Sequence, residues 1–413
     1  MKVGETMNTH KKPGLAGCDL RRLTVIAALA TTAGACQGGS DPAEPEFPEI
    51  PVSLVLPDGP YDYAGVAIPR HYRTNDFPPE FSHQRAAIDL DNMPADNPIT
   101  NYGARLGRVL FYDTSLSANG EVACATCHDV DLSFTDGQRF SVGVGGSTRR
   151  TAMSLLNVRF YRSDRFFRDE RAPSLEEQAL MPIQDPLEMG LTLERLVSIV
   201  ESKHYYPELF EDAFGDATVT PDRIARALAQ FQRSIVTAGA NYDRGRAQVD
   251  SPLDPFPNFT DEENLGKSLF MDPGSRPVAC ANCHITEAFV TRAPANNGLG
   301  PGLRPDAGVG EVTGDPEDEG KFKAPSLRNI AIWPPYMHDG RFGTLLEVVE
   351  HYSSGIQDHP NLHPLLRDEH GEPFRFNFTD EEKVALVRFL MTLTDFRVID
   401  DRRYQNPFYR GIS

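Results

Sequence analysis

Hydrophobic residues recur along most of the chain at spacings of three and four, which is the period of amphipathic helices. One such helix follows Thr220-Pro221, a pair that favours an N-cap and a first helical turn. Its apolar positions share one face: Ile224, Leu228, Phe231 and Ile235. Sustained alternation of apolar and polar residues, which marks a half-buried strand, is scarce. The pattern therefore predicts a mainly α protein.

Helix signals elsewhere support the same fold class. Two predicted capping boxes lie at Thr260 with Glu263 and at Thr379 with Glu382. Apolar residues follow the second box at helical spacing: Leu386, Leu390 and Leu393. Another amphipathic segment is marked by Leu193, Leu196, Val197 and Val200. Residues 291–320 are rich in Gly and Pro and predict long loops.

One short motif occurs twice, 156 residues apart. It reads VACATCHD at residues 122–129 and VACANCHI at residues 278–285. The repeat extends upstream, where LGRVLFYD at 106–113 matches LGKSLFMD at 265–272. Each helix-like segment precedes its own Cys-x-x-Cys-His motif, which predicts two homologous domains.

The doubled motif admits three interpretations. A disulfide in each cysteine pair suits an exported protein but leaves the histidine without a role. Zinc ribbons place their cysteine pairs roughly 15 to 20 residues apart, far closer than here. A c-type haem uses every residue, because two thiols form thioether bonds and the histidine binds the iron. The motif thus predicts two covalent haems, with these attachment residues: Cys124, Cys127 and His128; Cys280, Cys283 and His284.

The N-terminus predicts export. Four basic residues (Lys11, Lys12, Arg21 and Arg22) precede an apolar run at 23–35 that is too short to span a bilayer. The small residues Ala33 to Ala35 before Cys36 resemble a bacterial lipobox, which would place a lipid on Cys36. Cleavage there by ordinary signal peptidase would instead release a soluble periplasmic form. Both interpretations place the protein in the periplasm, either anchored to a membrane or free.

Composition bears on the partners rather than on the fold. Removal of the signal takes away five basic and two acidic residues, so the formal net charge moves from −18 to −21. Such an acidic surface disfavours nucleic acid and suits a basic protein partner. The alternative is that the charge only keeps the protein soluble.

These signals divide the 413 residues into five predicted parts. Residues 1–35 are a lipoprotein-like signal peptide, and residues 36–84 are a Pro-rich linker and N-terminal arm. Residues 85–245 and 246–396 are two cytochrome c-like domains with one haem each. Residues 397–413 are a C-terminal tail.

From about residue 100 to residue 395, the chain is similar to the bacterial di-haem cytochrome c peroxidase and MauG superfamily. The motifs that carry the resemblance follow in order: LGRVLFYD, CATCH, AMSLLN, SLEEQALMPIQDPLEMG, CANCH, FKAPSLRN and YMHDGRFGTLLEVVEHY. The resemblance implies a peroxidase in which a donor protein reduces the C-terminal haem and hydrogen peroxide is reduced to water at the N-terminal haem. It also implies a small cytochrome c or cupredoxin as donor, and commonly a homodimer.

The resemblance assigns a sixth ligand to the C-terminal haem. In peroxidases of this family, the Met of the motif seen here as Tyr336-Met337-His338 binds that iron, opposite the histidine that is His284 here. MauG-type oxidases carry Tyr at this Met position, so Met337 favours a peroxidase over MauG-like oxidation of a partner protein. His338 is a rival ligand, and Tyr336 next to Met337 keeps the MauG-like alternative open.

The resemblance makes the N-terminal haem the reaction site. Many family peroxidases carry a removable distal His in a loop after the first haem motif, but residues 129–203 contain no histidine. We therefore expect a five-coordinate haem that is open in the fully oxidised enzyme. The family's catalytic Gln, Pro and Glu fall on Gln178, Pro182 and Glu188. Glu188 would move the peroxide proton, and Gln178 would orient peroxide or its water.

Two further positions concern the region between the haems. Family members carry Trp in an FFWDGR-like segment there, whereas this chain reads FFRDER, with Arg168 at the Trp position and Trp333 as its only Trp. Family structures also hold calcium between the domains, which makes Asn157 the candidate ligand, with a turn-forming Asn as the alternative. A non-catalytic electron-transfer cytochrome is the remaining alternative, and it would need protein ligands on both sides of both irons.

Overall fold

The computed structural model describes residues 52–161, 165–272, 274, 276–302 and 304–410. The predicted signal peptide and Cys36 lie outside these ranges. Within them the protein is mainly helical, as the sequence predicts, and the strands are short. The described part of residues 291–320 is mostly loop, with one short α-helix and one short 3-10 helix.

The α-helices of the described ranges are, in chain order, Arg70–Arg73 (α1), Asn101–Tyr112 (α2), Cys124–Cys127 (α3), Leu175–Gln184 (α4), Leu193–Ser202 (α5), Tyr206–Phe214 (α6), Pro221–Ser234 (α7), Asn241–Arg246 (α8), Asp261–Met271 (α9), Gly310–Thr313 (α10), Leu345–Glu350 (α11) and Asp380–Met391 (α12). The strands are Val52–Leu54 (β1), Val142–Gly143 (β2), Gly146–Ser147 (β3), His284–Ile285 (β4), Val290–Thr291 (β5) and Phe408–Arg410 (β6). They pair antiparallel, β1 with β6, β2 with β3, and β4 with β5.

The helix starts predicted from the sequence are confirmed. The Thr220 hydroxyl accepts from the Arg223 amide at 3.2 Å at the start of α7. Capping boxes open α9 at Thr260 and α12 at Thr379. The Glu382 carboxylate accepts from the Thr379 amide at 2.9 Å, so orphan amides at the helix start find partners.

The sequence repeat is also a structural repeat. Helix α2 crosses α7 in the first half, and α9 crosses α12 in the second half, with a glycine at each crossing. A Cβ on Gly107 would lie 2.0 Å from the Ala227 carbonyl oxygen, and one on Gly266 would lie 1.9 Å from that of Ala385. Only a residue without a side chain permits such backbone contact. Each crossing anchors its own hydrophobic core.

The predicted arm and tail are not loose extensions where the structure describes them. Tyr63 of the arm and Val398 and Tyr404 of the tail are buried in the first core. The Tyr404 hydroxyl donates to the Ser234 carbonyl at the end of α7 at 2.6 Å. Strands β1 and β6 join the two segments. The bounds of the two predicted haem domains stay predictions, but the first half owes part of its core to the last residues of the chain.

Gly107→Ala tests the close crossing. Extra volume in a packed contact usually costs about 1–3 kcal/mol, so we expect the variant to unfold at a lower temperature than the native holoprotein. Thermal unfolding followed by circular dichroism measures this. Gly59→Ala is the control, because a Cβ there meets nothing within 4 Å. Equal melting temperatures for the two variants would contradict the contact.

Candidate active site

One cavity of about 520 Å³ contains the first haem motif in its wall. It is lined mainly by the first half, and the second half contributes Val290, Glu311, Val312, Lys323, Pro325 and Ser326. Cys124 and Cys127, at the two ends of the single turn α3, and His128 directly after it all line this cavity. The two cysteines are not joined by a disulfide. Burial raises the pKa of their thiols to about 12 and about 11. Both thiols therefore line the same cavity from a single helical turn.

The His128 imidazole is held in the form that binds a metal. Its Nδ1 lies 2.9 Å from the Phe134 carbonyl oxygen, and because a carbonyl only accepts, Nδ1 carries the proton. The lone pair is then on Nε2. Burial lowers the pKa of the ring, which keeps it neutral. The ring of Phe111 at the end of α2 lies 6.5 Å from the imidazole, so the α2–α7 crossing supports the histidine.

Gln178 and Pro182 reach the same cavity from α4. Ser174 caps this helix by accepting from the Glu177 amide at 3.0 Å. The two residues are four apart, so they lie on one face of the helix. Pro182 has no amide hydrogen, so it cannot donate to the Gln178 carbonyl as a normal residue would.

Glu188 lines the cavity from the turn after α4. Asp185 holds that turn, because its side chain accepts from the Leu187 amide at 2.8 Å and its carbonyl from the Glu188 amide at 3.0 Å. The β2–β3 hairpin supports it as well, since the Val144 amide donates to the Glu188 carbonyl at 2.9 Å. Burial and then the Asp185 carboxylate raise the pKa of Glu188, while Arg171 opposes them. This is the setting of a carboxyl suited to proton transfer near neutral pH.

At one pair of equivalent positions, the second half carries a possible iron ligand and the first half does not. FFRDER at 166–171 aligns with YMHDGR at 336–341, and each segment closes with the same backbone bridge, Phe166 to Ala172 and Tyr336 to Phe342. Phe167 and Met337 then coincide, and both have left-handed backbones, with φ of 69° and 74°. Phe167 lines the cavity of His128. A phenyl ring has no lone pair to offer an iron.

Phe167 and Arg171 were not among the site residues predicted from the sequence. The Arg171 guanidinium carbon lies 3.5 Å from the centroid of the Phe167 ring, and both residues line the cavity with Glu188. Aligning the FFRDER segment with the YMHDGR segment would have found both. A search for catalytic residue types alone would not, because a phenylalanine carries no catalytic group.

The second haem motif forms a similar site. Cys280 and Cys283 are free thiols, and burial raises their pKa to about 12 and about 11. Burial lowers the pKa of His284 to about 4, so this ring is neutral too. Its Nδ1 is buried and has no hydrogen-bond partner among the described residues. Phe270 at the end of α9 lies 6.3 Å from the ring, as Phe111 does in the first half.

Met337 is connected to this second site through two side chains. The Asn297 amide nitrogen lies 3.7 Å from the Met337 sulfur and donates to the Tyr352 hydroxyl at 3.2 Å. The pKa of Tyr352 is raised to about 12, mainly by burial, with further contributions from Cys283 and Cys280. The thioether therefore belongs to the surroundings of the second motif.

The two neighbours of Met337 are engaged elsewhere. The Tyr336 hydroxyl donates to the Ile330 carbonyl at 3.0 Å, and burial raises its pKa to about 12, which disfavours a phenolate. The His338 ring stacks on Phe322 with centroids 3.7 Å apart. This geometry favours Met337 over both rivals. Trp333 is buried beside Tyr336, with ring centroids 5.9 Å apart, as a core residue.

Asn157 uses its amide within the chain. Its Oδ1 accepts from the Thr237 amide at 3.0 Å, and its own φ is 58°. Its counterpart in the second half, Asn329, has a φ of 57° and accepts from the Asp395 amide at 2.8 Å. In the part of the chain that the structure describes, no three His, Cys, Asp or Glu residues gather as a metal site. The calcium site stays a prediction, and the geometry favours the turn-forming role.

These features fit c-type haem at both motifs. Each motif presents two unbridged thiols and a neutral, buried imidazole. A single zinc site shared by the two motifs does not fit, because their residues do not come together.

Comparison with known proteins places the chain in a family. A family model described as di-haem cytochrome c peroxidase matches residues 101–250 and 260–386, more than half of the chain. The chain belongs to the di-haem cytochrome c peroxidase family. The family resemblance seen in the sequence is thereby confirmed. The protein is an oxidoreductase of the peroxidase type, in a family whose cofactor is haem c.

Relatives of this di-haem peroxidase carry both names that the sequence suggested. Cytochrome c551 peroxidase of Nitrosomonas europaea is 35% identical over 296 residues, covering 70% of this chain and 79% of that protein. The methylamine utilization protein MauG of Methylorubrum extorquens is 34% identical over 305 residues, covering 73% and 80%. A crystal structure of a MauG-like protein associated with microbial copper homeostasis aligns with a TM-score of 0.64 at 32% identity, covering 77% of this chain and 96% of that one.

Removing one pair of thiols tests haem attachment. Cys124→Ala/Cys127→Ala is expected to leave one covalent haem per chain, because each pair would hold its own haem through thioether bonds. Intact mass and the pyridine haemochrome assay of the exported protein measure this. Cys280→Ala/Cys283→Ala is the matched variant and should also retain one. Two covalent haems in either variant would contradict the assignment.

Proposed function

We propose that this di-haem peroxidase reduces hydrogen peroxide to water at the site of His128, with electrons that a small redox protein delivers to the site of His284. The observation that carries the proposal is the asymmetry between Phe167 and Met337. An iron with two protein ligands carries electrons, whereas an iron with one open side can bind a small molecule. The proposed sites are therefore an electron-entry site closed by Met337 and a reaction site left open by Phe167.

The proposed attachment residues are Cys124, Cys127 and His128 for the first haem, and Cys280, Cys283 and His284 for the second. Bound haem would supply the iron that holds peroxide and passes two electrons to it. The overall change is one peroxide, two electrons and two protons to two waters. Met337 would complete the second site, since a thioether raises the potential and makes that site a good electron acceptor.

Glu188 is the proposed proton-transfer group. Peroxide must lose a proton from one oxygen and gain one on the other before the O–O bond breaks to release water. A carboxyl on the cavity wall can do both in turn, and the raised pKa of Glu188 brings the two protonation states closer in energy at neutral pH. Gln178 would orient peroxide through its amide, and Pro182 would shape the same wall.

The donor and location remain part of the proposal. The net charge of −18 suits a donor with a basic docking face, such as a small cytochrome c or a cupredoxin. Export to the periplasm, with or without a lipid on Cys36, rests on residues that lie outside the described ranges. Across the described ranges, none of the helices combines the length and apolar character that a bilayer crossing needs. A homodimer stays a prediction from the resemblance.

MauG-like oxidation of a partner protein is the second candidate. The similarity to MauG and to the MauG-like crystal structure favours it. The placement of Tyr336 opposes it, because this hydroxyl is occupied by the Ile330 carbonyl and the adjacent Met337 lies near the second haem motif. The two candidates differ in what discharges the oxidised enzyme: a reduced small cytochrome c in a peroxidase, and a partner's side chain in a MauG-like oxidase.

Glu188→Gln tests the proton-transfer role. We expect kcat/KM for peroxide to fall by about 10²- to 10⁴-fold, the usual contribution of a positioned acid or base. Native activity should fall as the pH drops through a pKa above the ordinary 4.5, because the base must be ionised to act. Asp185→Asn keeps the acceptor for Leu187 but removes a negative charge, so the inflection should move to lower pH.

The control for this prediction is Glu177→Gln, on the exposed side of α4. It should leave the rate and the pH profile unchanged. An Asp185→Asn profile that moves to higher pH, or a Glu188→Gln variant with the native rate, would contradict the assignment.

Phe167→Met tests the open site and, with it, the proposed function. The native, fully oxidised protein should react with peroxide in stopped-flow absorbance without prior reduction, and reduced cytochrome c should then discharge it. In Phe167→Met a thioether takes the position that Met337 has in the other half, so a second six-coordinate, low-spin haem should form and the peroxide reaction should slow. Electron paramagnetic resonance measures the spin state.

Phe167→Leu is the matched control. Leucine fills a volume similar to that of methionine but has no thioether, so this variant should keep the open haem. A native enzyme that reacts only after reduction would show a sixth ligand at the first haem. Rapid reaction with peroxide but no discharge by cytochrome c would favour the MauG-like candidate.

A further inference from the structure

Arg168 is a buried cation with no carboxylate beside it. Its relative exposure is 7%, and among the described residues no carboxylate lies within 4 Å of it. Its guanidinium donates to the Thr151 hydroxyl at 2.6 Å and to the Thr151 carbonyl at 3.4 Å. Three other buried arginines each have a carboxylate at 2.5–2.8 Å: Arg233, Arg246 and Arg328.

The carboxylates near Arg168 are taken by other arginines. Arg150 lies 2.5 Å from Asp169 and 2.7 Å from Asp306. Arg341 lies 2.8 Å from Asp339. Burial and the charge of Arg150 lower the pKa of Arg168 to about 10, which still leaves it protonated at neutral pH. Burying a charge without a counter-charge is unfavourable, so a bound anion would stabilise this part of the cavity wall.

The position of Arg168 shows where that anion would be. Arg168 lines the cavity of His128, Cys124 and Cys127. The Thr151 hydroxyl that accepts from Arg168 donates to the Met337 carbonyl at 3.1 Å. The guanidinium thus lies at the first haem site, and the Thr151 hydroxyl connects it by hydrogen bonds to the Met337 carbonyl near the second haem motif. Arg108 also has no carboxylate partner in the described ranges, but its guanidinium lies over the Tyr61 ring and donates to the Gln405 carbonyl.

We propose that Arg168 binds a propionate carboxylate of the N-terminal haem and raises the reduction potential of that haem. Haem c carries two propionates, and the planar guanidinium fork matches a carboxylate in two parallel hydrogen bonds. A fixed positive charge beside a haem favours the reduced state, which carries one positive charge less. The inference rests on the haem-binding part of the proposed function and not on the reaction with peroxide.

The test is a spectroelectrochemical titration of the native holoprotein and three variants. Arg168→Gln keeps a polar side chain without the charge. It should lower the equilibrium constant for reduction of the N-terminal haem about tenfold, which lowers the reduction potential by about 59 mV for one electron. Arg168→Lys keeps the charge and should retain most of the native potential. Arg149→Gln is the matched control, because Arg149 lines the same cavity but has a half-exposed side chain paired with Glu311. Because solvent screens a half-exposed charge, Arg149→Gln should shift the potential of the N-terminal haem much less than Arg168→Gln does.

Infrared difference spectra with isotope-labelled propionates provide the second readout. The carboxylate stretch should change between the native protein and Arg168→Gln, and not between the native protein and Arg149→Gln. An unchanged potential in Arg168→Gln, or an equal loss in Arg168→Gln and Arg168→Lys, would overturn the proposal in favour of a hydrogen-bonding role toward Thr151.

If a variant folds poorly, the amount of haem bound at the N-terminal site serves as the readout instead. Loss of the N-terminal haem in Arg168→Gln but not in Arg168→Lys would support a charge partner, whereas loss in both would assign Arg168 a structural role and overturn the proposal. If the variants shift the potential as expected but the native protein does not reduce peroxide, the proposed reaction is refuted and this inference stands.

Discussion

The contact between a helix glycine and the carbonyl oxygen of a second helix organises each half of the molecule. Gly107 lies against Ala227, and Gly266 lies against Ala385. Because the helices approach this closely, the phenylalanine four residues after each glycine contacts a ring on the second helix. The ring centroids of Phe111 and Phe231 are 5.2 Å apart, and those of Phe270 and Phe389 are 5.1 Å apart. Each pair then supports the imidazole of the following Cys-x-x-Cys-His motif.

A shared frame makes the differences between the halves informative. The segments at 166–171 and 336–341 share the same backbone bridge and a left-handed backbone at the same position. Their side chains can therefore be compared position by position. A non-glycine residue in the left-handed region costs of order 1 kcal/mol, and both halves retain it. The strain is therefore a property of the frame rather than of a ligand. What differs is the side chain that the frame presents, a thioether in one half and a phenyl ring in the other.

Local signals in the sequence were sufficient for helices α5, α7, α9 and α12 and for finding the two Cys-x-x-Cys-His motifs. N-caps at Thr220, Thr260 and Thr379 act within one turn, so periodicity and capping residues predict them. The pairing of β1 with β6 joins segments more than 350 residues apart and has no local signature. The assignment of Gln178, Pro182 and Glu188 came from resemblance rather than from pattern, because a lone carboxylate looks like any solvated one until the fold places it in a cavity.

Arg168 shows how one substitution changes what the junction between the halves can do. Resemblance to the family leads to the expectation of Trp at this position, and an indole can give up an electron and pass it on. A guanidinium cannot, so residue 168 is unable to relay electrons, and the proposed effect of Arg168 on the first haem comes from its charge and its contact with a propionate. The stacked rings of Phe322 and His338 lie at the same junction, because the His338 carbonyl accepts from the Thr151 amide at 3.1 Å. An aromatic route between the halves would therefore have to use rings other than residue 168, while the charge at that position sets how readily the first site accepts the electron.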